Sequence, residues 1–498
     1  MRLIYKFAIV SGILLLLLPT GCQKFLDKEP QGSLISASFP VSATDALLAT
    51  NAVYSVMRDG NFHFGLFPIL DIMSDDAHKG SNPGDQATTI GPYDNFTFSS
   101  STDGGDLDRW WSTLYQGIKY ANVVIENVPA IQMDTALRNR YVGEARFLRG
   151  LYYFDLVRAW GGVPLVTNLN PPLKLTRASK DDVYKLIISD FTYALNNLPE
   201  KSEQPAADLG RATKGAAKAY LAKVYLFQDD FVNAEKYALE VINSNEYSLE
   251  PVFTDANSVN GEQGVESVFE IGASASETSQ GPGDQYGNVQ GVRGTPNRGW
   301  GFNRPTPDLR SSFEPGDPRM KGTIIDLGDT IDGIVIIGDG QTPDVSLNAD
   351  NSVWETECYN RKVWTPGHDV PSQFAYNRRL MRYAEVLLIA AEASNENGKT
   401  SQALTYLNMV RARARQGNNS ILPDITVTDK DALRDAILNE RRHELALEGE
   451  RFWDLVRTNK ATTVLGPLGF VAGKNELLPI PQTQIDLGQG SLTQNPNW

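Results

Sequence analysis

The segment YLAKVYLFQDDFVNAEKYALEVI, residues 220–242, decides the fold class of this chain. Its pattern returns far downstream in IAAEASNENGKTSQALTYLNMVR, residues 389–411. In the first segment Ala222 and Ala234 are twelve residues apart, and the second segment has two alanines at the same spacing. Each segment therefore predicts two helices joined by a short polar turn, with small residues where the helices approach closely. Two unrelated helical hairpins are the alternative.

Helical patterning covers three ranges of the chain, about 40–58, 107–245 and 379–460. The intervening ranges, about 59–106 and 246–378, are rich in Gly, Asn, Asp, Pro and aromatic residues and have little helical period. Long loops that are not of low complexity usually carry function on a rigid scaffold. We therefore predict a mainly α body of tetratricopeptide-like hairpins, with the ligand region in the two loop-rich ranges.

The first residues predict export from the cytoplasm. Arg2 and Lys6 form a short basic start, and an apolar run follows over residues 7–18. This run is too short to span a bilayer, which takes ~20 apolar residues, and small residues then lead to Cys22. The order is typical of a lipoprotein signal peptide over residues 1–21, with lipid attached to Cys22. An ordinary cleaved signal peptide and an uncleaved anchor are the alternatives.

Composition argues against several classes of function. The chain of 498 residues has a formal net charge of −14, whereas nucleic-acid binding requires clusters of Lys and Arg. If Cys22 is acylated, Cys358 is the one remaining cysteine, so we expect no disulfide within the chain. The four histidines are widely spaced and form no HxxxH or HExxH pair. We therefore predict no metal site, no cofactor and no nucleic-acid partner.

Five motifs follow one another along the chain. They are RFLRGLYYF (146–154), FEPGDPR (313–319), RYAEVLL (382–388), NERRHELALEGERFWDLVR (439–457) and LPIP (478–481). The order of these motifs after a lipoprotein signal resembles that of the SusD/RagB family of Bacteroidetes outer-membrane lipoproteins. The resemblance covers essentially the whole mature chain, and the fourth motif is its most specific part.

The resemblance implies a single body over residues 22–498. That body has four tetratricopeptide-like helical hairpins packed against an irregular loop-rich region with a few short β-hairpins. The resemblance also implies a lipid anchor in the outer membrane, and Asp27 and Glu29 resemble the signal that directs such proteins to the cell exterior. It implies a partner, a SusC-like TonB-dependent outer-membrane transporter, that receives the captured nutrient. The ligand in this family is usually an oligosaccharide, and a peptide is the alternative.

A glycan receptor needs exposed aromatic rings for the apolar faces of sugars and polar groups for their hydroxyls. The segment GWGFNRP (299–305) supplies both, and its glycines are expected to leave the indole accessible. No binding motif of the family maps onto the loops, so the candidates rest on composition and position. The candidate ligand-binding residues are Trp300, Asn303, Arg304, Trp364, Tyr93, Tyr286 and Asp75.

The acidic residues near the C-terminus are expected to be structural. Glu440, Glu444 and Glu448 share one face of a predicted helix, beside several arginines. Such networks are commonly structural, so we predict ion pairs that fix the last helices to the body and no catalytic residues. A glycoside hydrolase with two carboxylates ~5–10 Å apart stays open as an alternative, as does a scaffold that binds only protein.

Overall fold

The computed structural model describes residues 39–64, 69–101, 105–273, 285–342, 345–348, 350–366 and 376–498. The predicted signal peptide and the predicted lipid-attachment site, Cys22, lie outside these residues. Among the helices that are described, none has the length and apolar content needed to cross a membrane.

Helices dominate the described part of the chain. Many of them begin after a Ser, Thr or Asp whose side chain accepts a hydrogen bond from the first turn, which fixes where the helix starts. The helices are α1 (Ala43–Ser55), α2 (Gly60–Phe64), α3 (Asp106–Asn127), α4 (Thr135–Trp160), α5 (Lys180–Asn197), α6 (Lys214–Leu226), α7 (Phe231–Ile242), α8 (Gln285–Gln290), α9 (Pro307–Ser312), α10 (Pro318–Thr323), α11 (Tyr383–Glu396), α12 (Thr400–Ala414), α13 (Lys430–Leu445), α14 (Arg451–Arg457), α15 (Ala461–Leu465) and α16 (Gln482–Gly488).

The longer helices form four hairpins that stack side by side. The pairs are α1 with α3, α4 with α5, α6 with α7, and α11 with α12. Neighbouring pairs touch through α3 and α4, α5 and α6, and α7 and α11. The predicted fold of four tetratricopeptide-like hairpins is confirmed, and the two repeated segments form the hairpins α6–α7 and α11–α12.

Helix α4 is buried on two faces because apolar residues line both of them. One apolar stripe runs through Phe147 and Phe154 and a second runs through Tyr152 and Leu156, and these four side chains are fully buried. The helix begins after Asp134, whose carboxylate accepts a hydrogen bond from the N–H of Leu137. It ends at Gly161, whose φ of 72° breaks the helical path. The sequence pattern therefore places α4 in the middle of the helical layers.

The close approach of α3 and α4 depends on Gly117. A Cβ at this position would lie 2.3 Å from the ring of Tyr152, whose hydroxyl donates to the carbonyl of Val53 in α1. We expect Gly117→Ala to lower the free energy of unfolding by ~2 kcal/mol, because overpacking outweighs the helix propensity of alanine. Urea unfolding measures the change. The control is Gly287→Ala, where a Cβ makes ordinary contacts, and equal losses in both variants would contradict the prediction.

The loop-rich part contains short antiparallel ribbons of two strands each. The strands are β1 (Ala77–Gly80), β2 (Ser267–Ile271), β3 (Phe302–Pro305), β4 (Ile324–Asp326), β5 (Thr330–Ile331), β6 (Ile334–Val335), β7 (Val345–Leu347), β8 (Val353–Thr356), β9 (Cys358–Asn360) and β10 (Arg378–Arg382). They pair as β1–β3, β2–β10, β4–β9, β5–β6 and β7–β8. The β1–β3 ribbon joins residues from the two loop-rich ranges, so segments far apart in sequence meet in it.

The face of α13 that carries Glu440 and Glu444 forms a buried ion-pair network with Glu448, which follows the helix. Glu444 is fully buried. Burial acts to raise the pKa of Glu448, but the positive charges of Arg382 and Lys362 outweigh burial and lower this pKa to about 2. The cations of the network are Arg319, Lys362, Arg382, Arg411 and Arg413. These ion pairs join α13 to α10, α12 and β10, which confirms the structural role predicted for the acidic face.

Candidate functional site

Two tryptophans present their indole rings to solvent. Trp300 is 43% exposed and Trp354 is 39% exposed, whereas the other tryptophans of the described residues are buried or half-buried. A surface that leaves two large apolar rings in water is a candidate binding site. Both rings belong to the part of the structure around the β1–β3 ribbon.

Trp300 lies just before β3, where that strand crosses β1 closely. Gly80 pairs with Phe302 across the ribbon, and the N–H of Ser81 donates to the carbonyl of Gly301 over 2.6 Å. A Cβ on Gly80 would lie 2.5 Å from that carbonyl oxygen, and the φ of Gly80 is +69°. Glycine is therefore required at this crossing. The crossing fixes the backbone beside Trp300 while the indole stays outside.

A polar cluster lies beside this crossing, and we name it the Ser81 cluster: Ser81, Asp85, Arg293 and Asp339. The Ser81 hydroxyl donates to Asp85 over 2.9 Å and accepts from Arg293 over 2.8 Å. Arg293 forms ion pairs with Asp85 and, over 2.8 Å, with Asp339. The side chains of Asp85 and Arg293 are 41% and 29% exposed, so both offer polar atoms to a ligand at the surface.

The two carboxylates of the Ser81 cluster are held in the ionised form. Burial acts to raise the pKa of Asp85, but hydrogen bonds from Arg293 and Ser81 outweigh it and hold this pKa below its usual range. Burial also acts to raise the pKa of Asp339, which two backbone N–H groups and the charge of Arg293 lower instead. Neither group is therefore a proton donor near neutral pH. Within the described residues, no three His, Cys, Asp or Glu side chains are placed to hold a metal ion.

Lys79 fixes the loop that carries Asp85. Its ammonium group donates to the backbone carbonyls of Gly80, Asn82 and Asp85 over 2.7, 3.2 and 2.8 Å. The backbone N–H of Lys79 donates to the carboxylate of Asp94 over 2.9 Å. One buried cation thus organises the loop after β1 and sets the position of the Asp85 side chain.

The second exposed indole, Trp354, is carried by β8 and fixed to β1 by His78. The Nε2 atom of His78 lies 2.7 Å from the Trp354 carbonyl oxygen, and the two rings meet edge-on with centroids 5.4 Å apart. Arg304, which pairs with His78 across the ribbon, forms a 2.7 Å ion pair with Glu355. Burial acts to lower the pKa of His78, but Asp94 outweighs it and raises this pKa. The β7–β8 hairpin is thus held against the β1–β3 ribbon.

Among the residues singled out from the sequence, the segment after Trp300 lies beneath the surface. Asn303 is fully buried and donates to Asp71 over 3.0 Å and to Gln290 over 2.7 Å. Arg304 is 1% exposed because it forms the ion pair with Glu355. These two side chains do not reach the surface at Trp300, and they support the ribbon from below.

The carboxyl group of Asp71, which accepts from Asn303, predicts a pH-dependent stability. Burial raises its pKa from 3.8 to about 7. The unfolded chain therefore ionises Asp71 near pH 4 and the folded chain near pH 7, so the stability it contributes is fully present below about pH 4 and lost as the pH rises to about 7. Asp71→Asn has no carboxyl group at this position and therefore lacks this pH-dependent contribution to stability. We expect the unfolding free energy of the native protein, measured relative to the variant in urea, to fall across that window, and a constant difference would contradict the prediction.

Three further sequence candidates are also buried. Tyr93 packs in the core against Phe98, with ring centroids 4.7 Å apart. The Tyr286 hydroxyl donates to the Leu447 carbonyl over 3.2 Å. Asp75 is paired with Arg451, with both contacts at 2.8 Å, and with Arg442 over 3.0 Å. The aromatic rings fill the core and the carboxylate is neutralised, so none of the three faces a surface ligand.

Trp364 lines a cavity whose walls do not include Trp300. The ring is 8% exposed, and its N–H donates to Asp332 over 2.7 Å. The cavity measures 170 Å³, and its walls include Asn257 and Arg361. The structure thus brings Trp300 together with the Ser81 cluster, whereas the Trp364 ring is buried beneath the guanidinium group of Arg298.

Sequence patterns point to Trp300 but not to the side chains around it. Ser81 and Arg304 are 223 residues apart in sequence and meet because β1 pairs with β3. The one local signal is SNPGD (81–85), a turn-forming stretch rich in polar groups. Trp354 gives a weaker signal, because a tryptophan in a short β-like run is usually buried.

Two family models match the chain. The model described as "SusD family" matches residues 265–469, and the model described as "Starch-binding associating with outer membrane" matches residues 24–226. The first match contains Trp300, Trp354 and most of the loop-rich region. The second contains β1, the loop after it, the first two helical hairpins and α6.

Similar proteins match over nearly the whole chain. SusD-like protein P2 of Formosa agariphila is 30% identical, and the match covers 98% of this chain and 99% of that protein. A solved structure named laminarin-binding SusD-like protein is 30% identical with a TM-score of 0.77, and covers 92% of this chain and 100% of that one. Surface glycan-binding protein A of Bacteroides uniformis is 26% identical with a TM-score of 0.75, over 91% of this chain and 99% of that one.

Proposed function

Because the chain belongs to the SusD family, we propose that it binds glycan at the surface formed by Trp300 and the Ser81 cluster. The observation that carries the proposal is the exposed Trp300 indole, held by the close strand crossing beside charged and hydrogen-bonding side chains. Two similar proteins of known structure are named as glycan-binding or laminarin-binding. Laminarin, an uncharged glucan, is therefore the ligand that we propose first.

In this proposal the surface contacts both the apolar and the polar sides of a sugar. The apolar face of one ring stacks on Trp300. Sugar hydroxyls donate to the carboxylates of Asp85 and Asp339 and accept from the guanidinium group of Arg293. Because the Ser81 cluster is already fixed by its own hydrogen bonds, little side-chain freedom is lost when the ligand binds.

The same geometry supports binding without hydrolysis. Hydrolysis of a glycoside needs a carboxylic acid with a raised pKa to protonate the leaving oxygen. The pKa values of Asp85 and Asp339 lie below the usual range instead. We infer that the glycan leaves the site chemically unchanged.

We further propose that the captured glycan is delivered to a SusC-like TonB-dependent outer-membrane transporter. The match to a family model described as associating with the outer membrane supports this location. In this proposal residues 22–498 form a single body that a lipid on Cys22 anchors in the outer membrane. The Trp300 surface then faces the cell exterior, where the glycan is met.

Calorimetry of protein that begins after Cys22 tests the binding proposal. Laminarihexaose is titrated beside xylan and pectin oligosaccharides and a mixture of short peptides. Binding of a glycan, with intact chains recovered afterwards, is the expected result. Binding of peptides alone, or release of shorter sugars, would contradict the proposal. Co-purification of the full-length protein with an outer-membrane transporter tests delivery separately.

A further inference from the structure

We propose that Trp354 forms a second sugar-binding subsite, which holds a later unit of the same uncharged glycan chain that is bound at Trp300. This inference rests on the proposed function and adds that the preferred ligand is a long and uncharged chain. It predicts that short oligosaccharides use Trp300 alone, whereas longer ones contact both indoles.

The first observation is that Trp354 is exposed and yet fixed in place. Its ring is 39% exposed, while its carbonyl oxygen lies 2.7 Å from Nε2 of His78. The next residue, Glu355, is 8% exposed and is held by the ion pair with Arg304. A ring that is anchored from its backbone loses little freedom when a ligand covers it, as a binding platform requires.

The second observation is that the Trp300 and Trp354 anchors lie three residues apart, on β1 and just after it. Trp300 is held through Gly301, which accepts from the N–H of Ser81 at the end of β1. Trp354 is held through His78, three residues earlier, so the two anchors are at most ~10 Å apart along the backbone. Arg304 connects them, because it donates to the Ser81 carbonyl and pairs with Glu355. The spacing suits a chain of several sugar units.

The third observation concerns charge. Among the described residues, the two arginines beside the strand crossing already have partners: Arg293 pairs with Asp85 and Asp339, and Arg304 pairs with Glu355. Lys79 donates to three backbone carbonyls, and His78 faces Asp94 at 3.5 Å. An anionic sugar would meet carboxylates without gaining a new cation. The surface therefore favours uncharged chains over those that bear uronate or sulfate groups.

A chain-length series tests the subsite. Laminaribiose, laminaritriose and laminarihexaose are titrated by calorimetry into the native protein and into Trp354→Ala and Trp354→Phe. We expect Trp354→Ala to weaken laminarihexaose binding about tenfold and to leave laminaribiose binding unchanged, because the short chain does not reach the second ring. Trp354→Phe keeps an aromatic face and is expected to retain most of the affinity for laminarihexaose.

The control is Leu347→Ala, on the neighbouring strand of the same hairpin. Leu347 is 52% exposed, so its truncation removes apolar surface from the hairpin but no ring. We expect its affinity for every chain to equal that of the native protein. Thermal unfolding of all variants shows whether the hairpin stays folded. Only small decreases in melting temperature are expected, because the ion pair of Glu355 with Arg304 still holds β8 in every variant.

Four results would overturn the inference. The first is equal loss of affinity for short and long chains in Trp354→Ala, and the second is no loss for any chain. The third is weaker capture of an outer-membrane transporter by Trp354→Ala with unchanged glycan affinity, which would assign the hairpin to a protein contact. The fourth is equal affinity for laminarihexaose and an oligogalacturonate of the same length. A native protein that binds none of the sugars would instead contradict the proposed function itself.

Discussion

Substitution of Glu444 by glutamine is expected to lower the free energy of unfolding by ~3–5 kcal/mol, because it removes one charge from a buried network. Glu444 is fully buried and lies 2.5, 3.0 and 3.5 Å from nitrogens of Arg413, Arg382 and Arg319. Glutamine has nearly the same shape but no charge. Three buried guanidinium groups would lose a shared counter-ion without gaining access to water.

Urea unfolding at neutral pH measures this effect. The control is Asp435→Asn on the same helix, which removes the charge of a 59% exposed carboxylate that pairs with Lys460 at the surface. Surface ion pairs contribute little, so a loss below ~1 kcal/mol is expected for the control. Similar losses in the two variants would show that the buried network does not hold α13 in place.

Substitution of Trp300 by alanine is expected to weaken glycan binding by roughly 60-fold. A sugar face that covers ~100 Å² of the indole contributes ~2.5 kcal/mol at ~25 cal/mol per Å², and 1.4 kcal/mol corresponds to a factor of ten. Because Trp300 is 43% exposed, its loss is expected to change the melting temperature little. We therefore expect Trp300→Ala to lose affinity for the glycan while it keeps nearly the stability of the native protein.

Calorimetry with laminarihexaose measures the change in affinity, and Trp300→Phe serves as the matched variant because it keeps an aromatic face. An intermediate affinity is expected for Trp300→Phe. If the native protein binds and Trp300→Ala binds equally well, the ligand lies elsewhere. Trp364→Ala then tests the cavity that Trp364 lines.

The helical scaffold follows from local pattern to a large extent. Two apolar stripes on α4 predict burial on two sides, and Phe147 and Tyr152 are fully buried as expected. The spacing of Glu440, Glu444 and Glu448 predicts one acidic face of a helix, which is wrong for Glu448 because α13 ends at Leu445. Glu440 and Glu444 do lie on α13, where they meet arginines from other elements. These predictions succeed because the periodicity of a helix is local and its side-chain directions follow from it.

Side-chain positions in the loops are harder to predict from sequence, because the direction of a side chain there depends on contacts made by distant segments. GWGFNRP has the composition of a sugar site, and its tryptophan is exposed. The φ of Asn303 is +57° and β3 pairs with β1, so Asn303 and Arg304 turn into the interior. Neither the unusual backbone angle nor the pairing is visible in the composition. The same holds for Ser81, which reaches Arg293 only through tertiary structure.

The hydrogen bonds of Lys79 have an evolutionary consequence for the loop that follows β1. Its ammonium group holds backbone carbonyls of Asn82 and Asp85, and backbone carbonyls are present whatever side chains the loop carries. The loop therefore keeps its path when its outward side chains mutate, much as a hypervariable loop of an antibody does on its framework. Single substitutions of those side chains can therefore change the chemistry of this surface without a loss of folding at each step.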